Sequence, residues 1–255
     1  MRYALISDIH ANLPALEAVL AHIEKDGTTN ATYHSGDLVG YAPWPNETVA
    51  LLAERGITGI AGNYDSTVAL DYKNCGCRYE DPHQAELAHE SYEWTRSNVS
   101  PKTKAALGAL PFRMDLAPLG GHLSGPRVIL VHGTPTVNTM YWTEDRPDSF
   151  CSQMANIAGA KQGDVIAFGH THLPWSREVG GIRFLNTGSV GRPKDGDWRA
   201  GYVILDMSGT APTIEFVRVE YDIELSMRAI RAGNLPHEFA DYLRTGGATQ
   251  TVKNS

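Results

Sequence analysis

The sequence predicts an α/β protein. Short β-forming runs alternate with segments whose apolar residues recur at helical spacing, and each of these runs stops abruptly at a polar residue. At 255 residues, with 42% hydrophobic, 20% charged and 9% aromatic residues, the chain is long enough for a full core and ordinary for a globular protein. Residues 2–7 are rich in β-formers and end at Asp8. Leu16, Val19, Leu20 and Ile23 then fall at helical spacing, with Asn12 placed as a cap, Pro14 in the first turn and Gly27 as terminator. The unit recurs as a strand over 31–35 into Gly36 and Asp37, a helix over about 46–54, and a strand over 57–61 into Gly62 and Asn63. Successive βα units predict a sheet whose strand ends carry the chemistry.

Residues 66–110 are charged and aromatic (Glu80, Glu86, Glu90, Tyr92, Trp94), are broken by Pro101 and contain few β-branched runs. They predict a helical, cap-like insertion within a single domain spanning 1–255. Strand-like runs return at 128–131, 165–168, 182–185, 202–205 and 213–217, before helices from Ile223 and Pro236 and a polar, frayed tail from Gly246. There is no fixed-period repeat and no linker-like shift in composition.

With 22 Lys and Arg against 29 Asp and Glu, the net charge of −7 argues against a surface built to neutralise nucleic-acid phosphates. Any anion must therefore meet a local positive centre. No apolar run approaches a membrane-spanning length, and the first residues carry a charge with no small-residue cleavage site behind it, so the expectation is a cytoplasmic protein without a membrane partner. Cys75, Cys77 and Cys151 make an odd count unlike a disulfide framework. Cys75 and Cys77, with no further Cys or His at ligand spacing, read as reduced surface or packing thiols rather than a third metal site. The composition leaves the oligomeric state open.

The informative residues stand at the strand ends: Asp8 and His10, Asp37, Asn63, His132, and His170 with His172. Residues two apart in extended backbone point the same way, so Asp8 with His10, and His170 with His172, each present two donors to one centre. Seven nitrogen and oxygen donors without sulfur suit a pair of divalent cations, Mn²⁺ first and Fe²⁺ or Zn²⁺ next, better than a thiolate-bound structural zinc. Singly each has an ordinary use: Asp8 or Asp37 as a helix cap, Asn63 as a left-handed turn residue, His132 as a hydrogen-bonded core histidine. Five donor clusters that each end an apolar strand make a demanding coincidence.

The order Asp-x-His, Gly-Asp, Gly-Asn, His, Gly-His-x-His resembles the calcineurin-like metallophosphoesterase family over positions 4 to about 190. The stretches Gly-Asp-Leu-Val-Gly-Tyr-Ala-Pro-Trp-Pro-Asn-Glu (36–47) and Asn-Thr-Gly-Ser-Val-Gly (186–191) look like its bacterial diadenosine-tetraphosphatase-like and phosphodiesterase-like branch. The resemblance implies a four-layered α/β/β/α sandwich with a two-metal site at its edge. It implies Asp8, His10, Asp37 and His172 around one ion, and Asp37 as bridge with Asn63, His132 and His170 around the other. It implies a phosphodiesterase or phosphatase acting on a small phosphoester or nucleotide, with dinucleoside-polyphosphate or protein phosphatase as alternatives, and a metal-bridging hydroxide attacking phosphorus in line. Two divalent ions bring +4, the two aspartates and a hydroxide remove three, and the resulting local +1 suits a phosphoryl oxygen on an acidic protein.

Two positions depart from the family pattern. Tyr64 stands where many members carry a histidine that protonates the leaving group, and Gly40 where its aspartate partner stands. A phenol with a reference pKa of about 10 is a weaker acid than imidazolium, and general acid catalysis contributes about 10²- to 10⁴-fold. Leaving groups that need little protonation, aryl esters or nucleotides, are therefore expected, with Asn63, Tyr64 and His170 as catalytic candidates. Asp65 is read as orienting a metal ligand or capping a helix, and Asn186, at a strand end near the site, as supporting its ligands from behind or touching substrate. Arg192 and Lys194 are read as a phosphate clamp or as ordinary surface charges. Tyr72, Tyr79, Tyr92 and Trp94 offer a nucleobase surface, with core packing as the plainer use. His22, His34, His83, His89, His122 and His237 receive no role. A non-catalytic partner-binding module on the same fold is the rival of another class, disfavoured by the complete donor set; a metallo-β-lactamase-like hydrolase would need a clustered His-x-His-x-Asp that is absent.

Overall fold

The computed structural model describes residues 1–79, 81–116 and 125–247; Glu80, His122 and the tail beyond Gly247 lie outside them. Strand β1 (Arg2–Ile6) shows how the layers arise. Its side chains alternate, so Ala4 and Ile6 join a core shared with helices while Tyr3 and Leu5 join a core between two sheets. β2 (Ala31–His34) and β3 (Thr58–Gly59) extend the sheet in parallel, and β9 (Ala200–Asp206) with β10 (Thr213–Val219) extends it antiparallel. The order is β10-β9-β1-β2-β3. The second sheet has the order β4-β5-β6-β8-β7, from β4 (Met114–Leu116), β5 (Val128–Leu130), β6 (Val165–Phe168), β7 (Trp175–Val179) and β8 (Ile182–Asn186). Within it β5, β6 and β8 run parallel.

Three apolar clusters glue the layers. Tyr3, Leu5, Leu130, Val165, Leu185 and Val203 fill the space between the sheets. α1 (Leu13–Asp26), α2 (Pro45–Glu54), α4 (Pro82–Asn98), α7 (Ile223–Ala232) and α8 (Glu238–Arg244) contribute to the core on the outer face of the first sheet, and α6 (Asp148–Ala158) covers the second. This is the four-layered α/β/β/α arrangement. α3 (Asn63–Ala69) and α5 (Pro101–Gly108) complete the helices among the described residues. Asp81 and Ser100 cap α4 and α5 by accepting the His83 and Thr103 amides, and a proline opens each first turn.

The structure corrects several readings. Asn12 precedes α1 but does not cap it; its amide nitrogen donates to the Gly191 carbonyl and its oxygen accepts the Ser226 hydroxyl, tying the helix start to two distant segments. The third strand is only two residues long, and in it Gly59 lies so close to His34 that a Cβ there would overlap the His34 backbone oxygen and ring. β4, β7 and α6 had no clear sequence signal: β4 is three residues, β7 is a half-buried edge strand, and α6 opens with polar residues.

His34 is itself buried, and burial lowers its imidazole to about 4. In the unfolded chain it titrates near 6.5, so the unfolded state binds the extra proton and folding stability falls as pH drops from about 6.5 to about 4. His34→Leu is expected to remove up to about 3 kcal/mol of this acid loss. Thermal melts of variant and wild type between pH 7 and pH 4 check it; parallel pH profiles would refute it.

Candidate metal centre

The seven donors converge where the two sheets meet at their strand ends. Asp8 follows β1, Asp37 follows β2, Asn63 opens α3 just after β3, and His132, His170 and His172 follow β5 and β6. Asp8, His10 and His172 form one buried group whose ligand atoms lie within 4.8 Å of one another, and Asp37, His132 and His170 form a second. Asn63 joins the second group, its side-chain oxygen 3.1 Å from His132 Nε2. One oxygen of Asp37 faces both groups: Oδ2 lies 3.4 Å from His132 Nε2 and 3.8 Å from His10 Nε2.

Backbone contacts fix which atoms point inward. His10, His132 and His172 donate Nδ1–H to the carbonyls of Val39, Ser35 and Arg192 at 3.1, 2.8 and 2.6 Å. That arrangement turns every Nε2 into the cleft, as a lone pair on His10 and His172 and, once a cation displaces its proton, on His132 as well. His10 and His172 then hold their Nε2 atoms 3.1 Å apart, a repulsive pair unless a cation lies beside them. His170 stacks on Tyr141 with ring centroids 4.5 Å apart, and its Nε2 is buried without a hydrogen-bond partner among the described residues. Asp8 Oδ2 accepts the Ser7 hydroxyl and the His170 amide, Asp37 Oδ1 accepts the Tyr64 amide, and the Asn63 amide nitrogen donates to the Cys75 carbonyl and Cys77 Sγ.

The electrostatics favour cation binding. Burial, then His172, lowers His10 to about 3, and burial, then His132, lowers His170 to about 3, so both rings stay neutral near pH 7. Burial opposes ionisation of Asp8 and Asp37, yet the histidines around them, His172 and His132 foremost, hold both carboxyls below the usual carboxylate value. Burial likewise opposes charge on His132, but Asp37 raises it to about 10, so a cation between the two takes the place of a proton. The donor chemistry and the unpartnered lone pairs fit two divalent ions.

The backbone is costly here. Asp8, His10, Asp37, His170 and His172 have φ between 49 and 67°, a left-handed conformation unusual for residues with a Cβ. The paired donors at 8 and 10 and at 170 and 172 thus stand on left-handed turns rather than on extended strand, so turn geometry and not strand alternation brings each pair together.

Other expectations are corrected. Asn186 supports the site from behind: fully buried, it donates to the Gly169 carbonyl and Thr171 hydroxyl and accepts the Gly188 amide, bracing the Gly-His-x-His turn. Asp65 caps α3 from its third position rather than from the N-cap, accepting the Gly62 amide and also that of Leu38; burial and the Asp37 charge raise it to about 7. Cys77 is not a surface thiol, since it lines the metal cleft beside Asn63. Tyr92 and Trp94 pack with the core and Tyr72 is exposed, whereas Tyr79 lines the cleft. Tyr141, which the sequence reading missed, sits in a loop without a motif; only an aromatic next to Trp142 hinted at it.

A family profile described as a calcineurin-like phosphoesterase superfamily domain matches residues 1–210. An uncharacterized protein of Methanocaldococcus jannaschii is 31% identical over 262 residues, covering 95% of this chain and 97% of that one. Phosphodiesterase YfcE of Escherichia coli is 28% identical over 222 residues, covering 81% and 88%. The crystal structure of a metallophosphoesterase from Sphaerobacter thermophilus superposes with a TM-score of 0.73 at 28% identity, covering 96% of this chain and 100% of that one. Fold and site together define a metal-dependent phosphoester hydrolase. The chain belongs to the calcineurin-like phosphoesterase superfamily, in keeping with the motif order. Among the described residues no helix is long and apolar enough to cross a membrane.

Proposed function

We propose that the protein hydrolyses a small phosphodiester or phosphoanhydride with two divalent cations, Mn²⁺ as first choice, through in-line attack by a water-derived nucleophile. The observation that carries this is the shared Asp37 Oδ2, placed between the two donor groups as a bridging ligand requires. Bound ions would supply a nucleophile from water at neutral pH and stabilise charge on the phosphoryl oxygens. Asp8, His10 and His172 would hold one ion, Asn63, His132 and His170 the other, and Asp37 would serve both. The carbonyls behind His10, His132 and His172 keep their imidazoles from turning away.

Tyr64 faces the cleft in the place of the leaving-group acid. Its hydroxyl is buried without a hydrogen-bond partner among the described residues, and burial pushes its pKa well above the ordinary phenol value. A phenol so placed gives up its proton reluctantly, which favours leaving groups stable as anions. Tyr64→His is expected to raise turnover of an alkyl ester relative to an aryl ester by about 10²-fold, read as the ratio of the two kcat/KM values; an unchanged ratio removes the leaving-group argument.

The direct test is hydrolysis of bis(p-nitrophenyl) phosphate by the purified protein with added Mn²⁺. Activity is expected to vanish with a chelator and to fall by about 10²-fold or more in His132→Ala. A metal-loaded wild type that turns over no phosphodiester, or a His132→Ala protein as active as wild type, overturns the reading.

A further inference from the structure

The loop after Asn186 brings Arg192 and Lys194 to the mouth of the metal cleft. The acidic residues of the same loop are already taken, Asp195 by Arg218 and Asp197 by Arg199, and neither Arg192 nor Lys194 has a carboxylate partner among the described residues. Arg192 is no loose surface charge. Its guanidinium lies 4.1 Å above the Tyr41 ring and 5.1 Å from that of Phe239, and its Nε is buried without a partner. Aromatic rings thus hold a cation in place while leaving its hydrogen bonds unused.

Beside the metal cleft lies an open pocket of about 370 Å³ that shares Tyr79, Tyr141 and Lys194 with it and is lined further by Arg192, Gln84 and Tyr242. Its volume falls within the range of small-ligand sites. Arg78 stands at the rim, and the nearby Asp81 carboxylate is engaged by the His83 amide. Among the described residues that line it, three cations stand against one occupied carboxylate, opposite in sign to the net charge of −7 on the chain.

We propose that this cavity holds the leaving group and that the leaving group is a nucleoside monophosphate, with Lys194 and Arg192 on its phosphate and Tyr79, Tyr141 and Tyr242 around its ring. The inference rests on phosphoester hydrolysis at the metal centre and names its substrate class: a nucleoside diphosphate or a longer nucleotide anhydride. Water oxygen bonds to the attacked phosphorus, and the bond from that phosphorus to the bridging oxygen breaks. The electron pair stays on the departing phosphate and the water proton goes to solvent. A phosphate whose second pKa is about 6 leaves without a strong acid, which matches a cleft that carries Tyr64 in place of histidine.

Binding to metal-loaded protein tests this without turnover. Wild type is expected to bind α,β-methylene adenosine diphosphate at least tenfold more tightly than adenosine monophosphate. Lys194→Met is expected to weaken both ligands at least tenfold, Lys194→Arg to restore most of that loss, and Tyr242→Leu to weaken the methylene analogue at least fivefold. A wild-type ratio near one, a Lys194→Met protein that binds both ligands as wild type does, or a Tyr242→Leu protein that binds the analogue as wild type does overturns the proposal. Wild-type hydrolysis of bis(p-nitrophenyl) phosphate is read separately: its presence beside any of these binding failures overturns this proposal alone, whereas its absence removes the underlying chemistry, so the two failures are told apart.

Discussion

Replacing Asp37 by asparagine is expected to lower turnover of bis(p-nitrophenyl) phosphate by at least about 10³-fold, equivalent to about 4 kcal/mol of barrier. Asp37 Oδ1 accepts the Tyr64 amide, a contact the asparagine oxygen can keep. The substituted amide nitrogen then takes the position of Oδ2, facing His132 and His10 with hydrogens instead of a lone pair. Both ion positions lose the ligand they share, and His132 loses the carboxylate that raises it. Bound metal, measured after dialysis, is expected to fall along with activity. Near-wild-type turnover with a full metal complement would show that Asp37 does not bridge.

A second large effect is expected from Gly169→Ala. A Cβ at Gly169 would overlap the Ser7 hydroxyl and Asp8 Oδ2, the two atoms that fasten the end of β1 to the turn after β6. The turn must retreat, and it carries His170 and His172 with it. Overpacking of this kind costs about 1–3 kcal/mol of stability, and misplacing ligands costs about 10²-fold in rate. Gly108→Ala, whose added carbon meets only the Ala69 Cβ at 3.6 Å, serves as control and is expected to be neutral or slightly stabilising. Melting temperature and phosphodiester turnover of the two variants decide it; equal behaviour would mean that the contact between β1 and the β6 turn does not matter.

The site was more legible than its surroundings, for a physical reason. Metal ligands are few residue types at fixed local offsets, so Asp8 with His10 and His170 with His172 announce themselves within three residues. The βα alternation was equally local, set by apolar period and by Gly27, which ends α1 in a left-handed conformation. What failed depended on distant partners. Asn186 and Asp65 look like site residues in one dimension, and only the fold shows their polar atoms consumed by backbone amides and carbonyls. The cavity beside the cleft escaped detection as a unit because Tyr79, Tyr141, Lys194 and Tyr242 come from four separate segments. β7 was hidden because an edge strand covered on one side needs no continuous apolar run.

The left-handed donors carry a consequence for how this protein can change. Five of the proposed ligands stand on backbone that costs about 1–2 kcal/mol per residue, a cocked spring held shut by the cores on either side. Glycine at any of those five positions would relax the spring and discard a ligand in the same stroke. Robustness and chemistry therefore pull against each other at the same five positions, and a hardier version of this protein has to be sought in its outer layers.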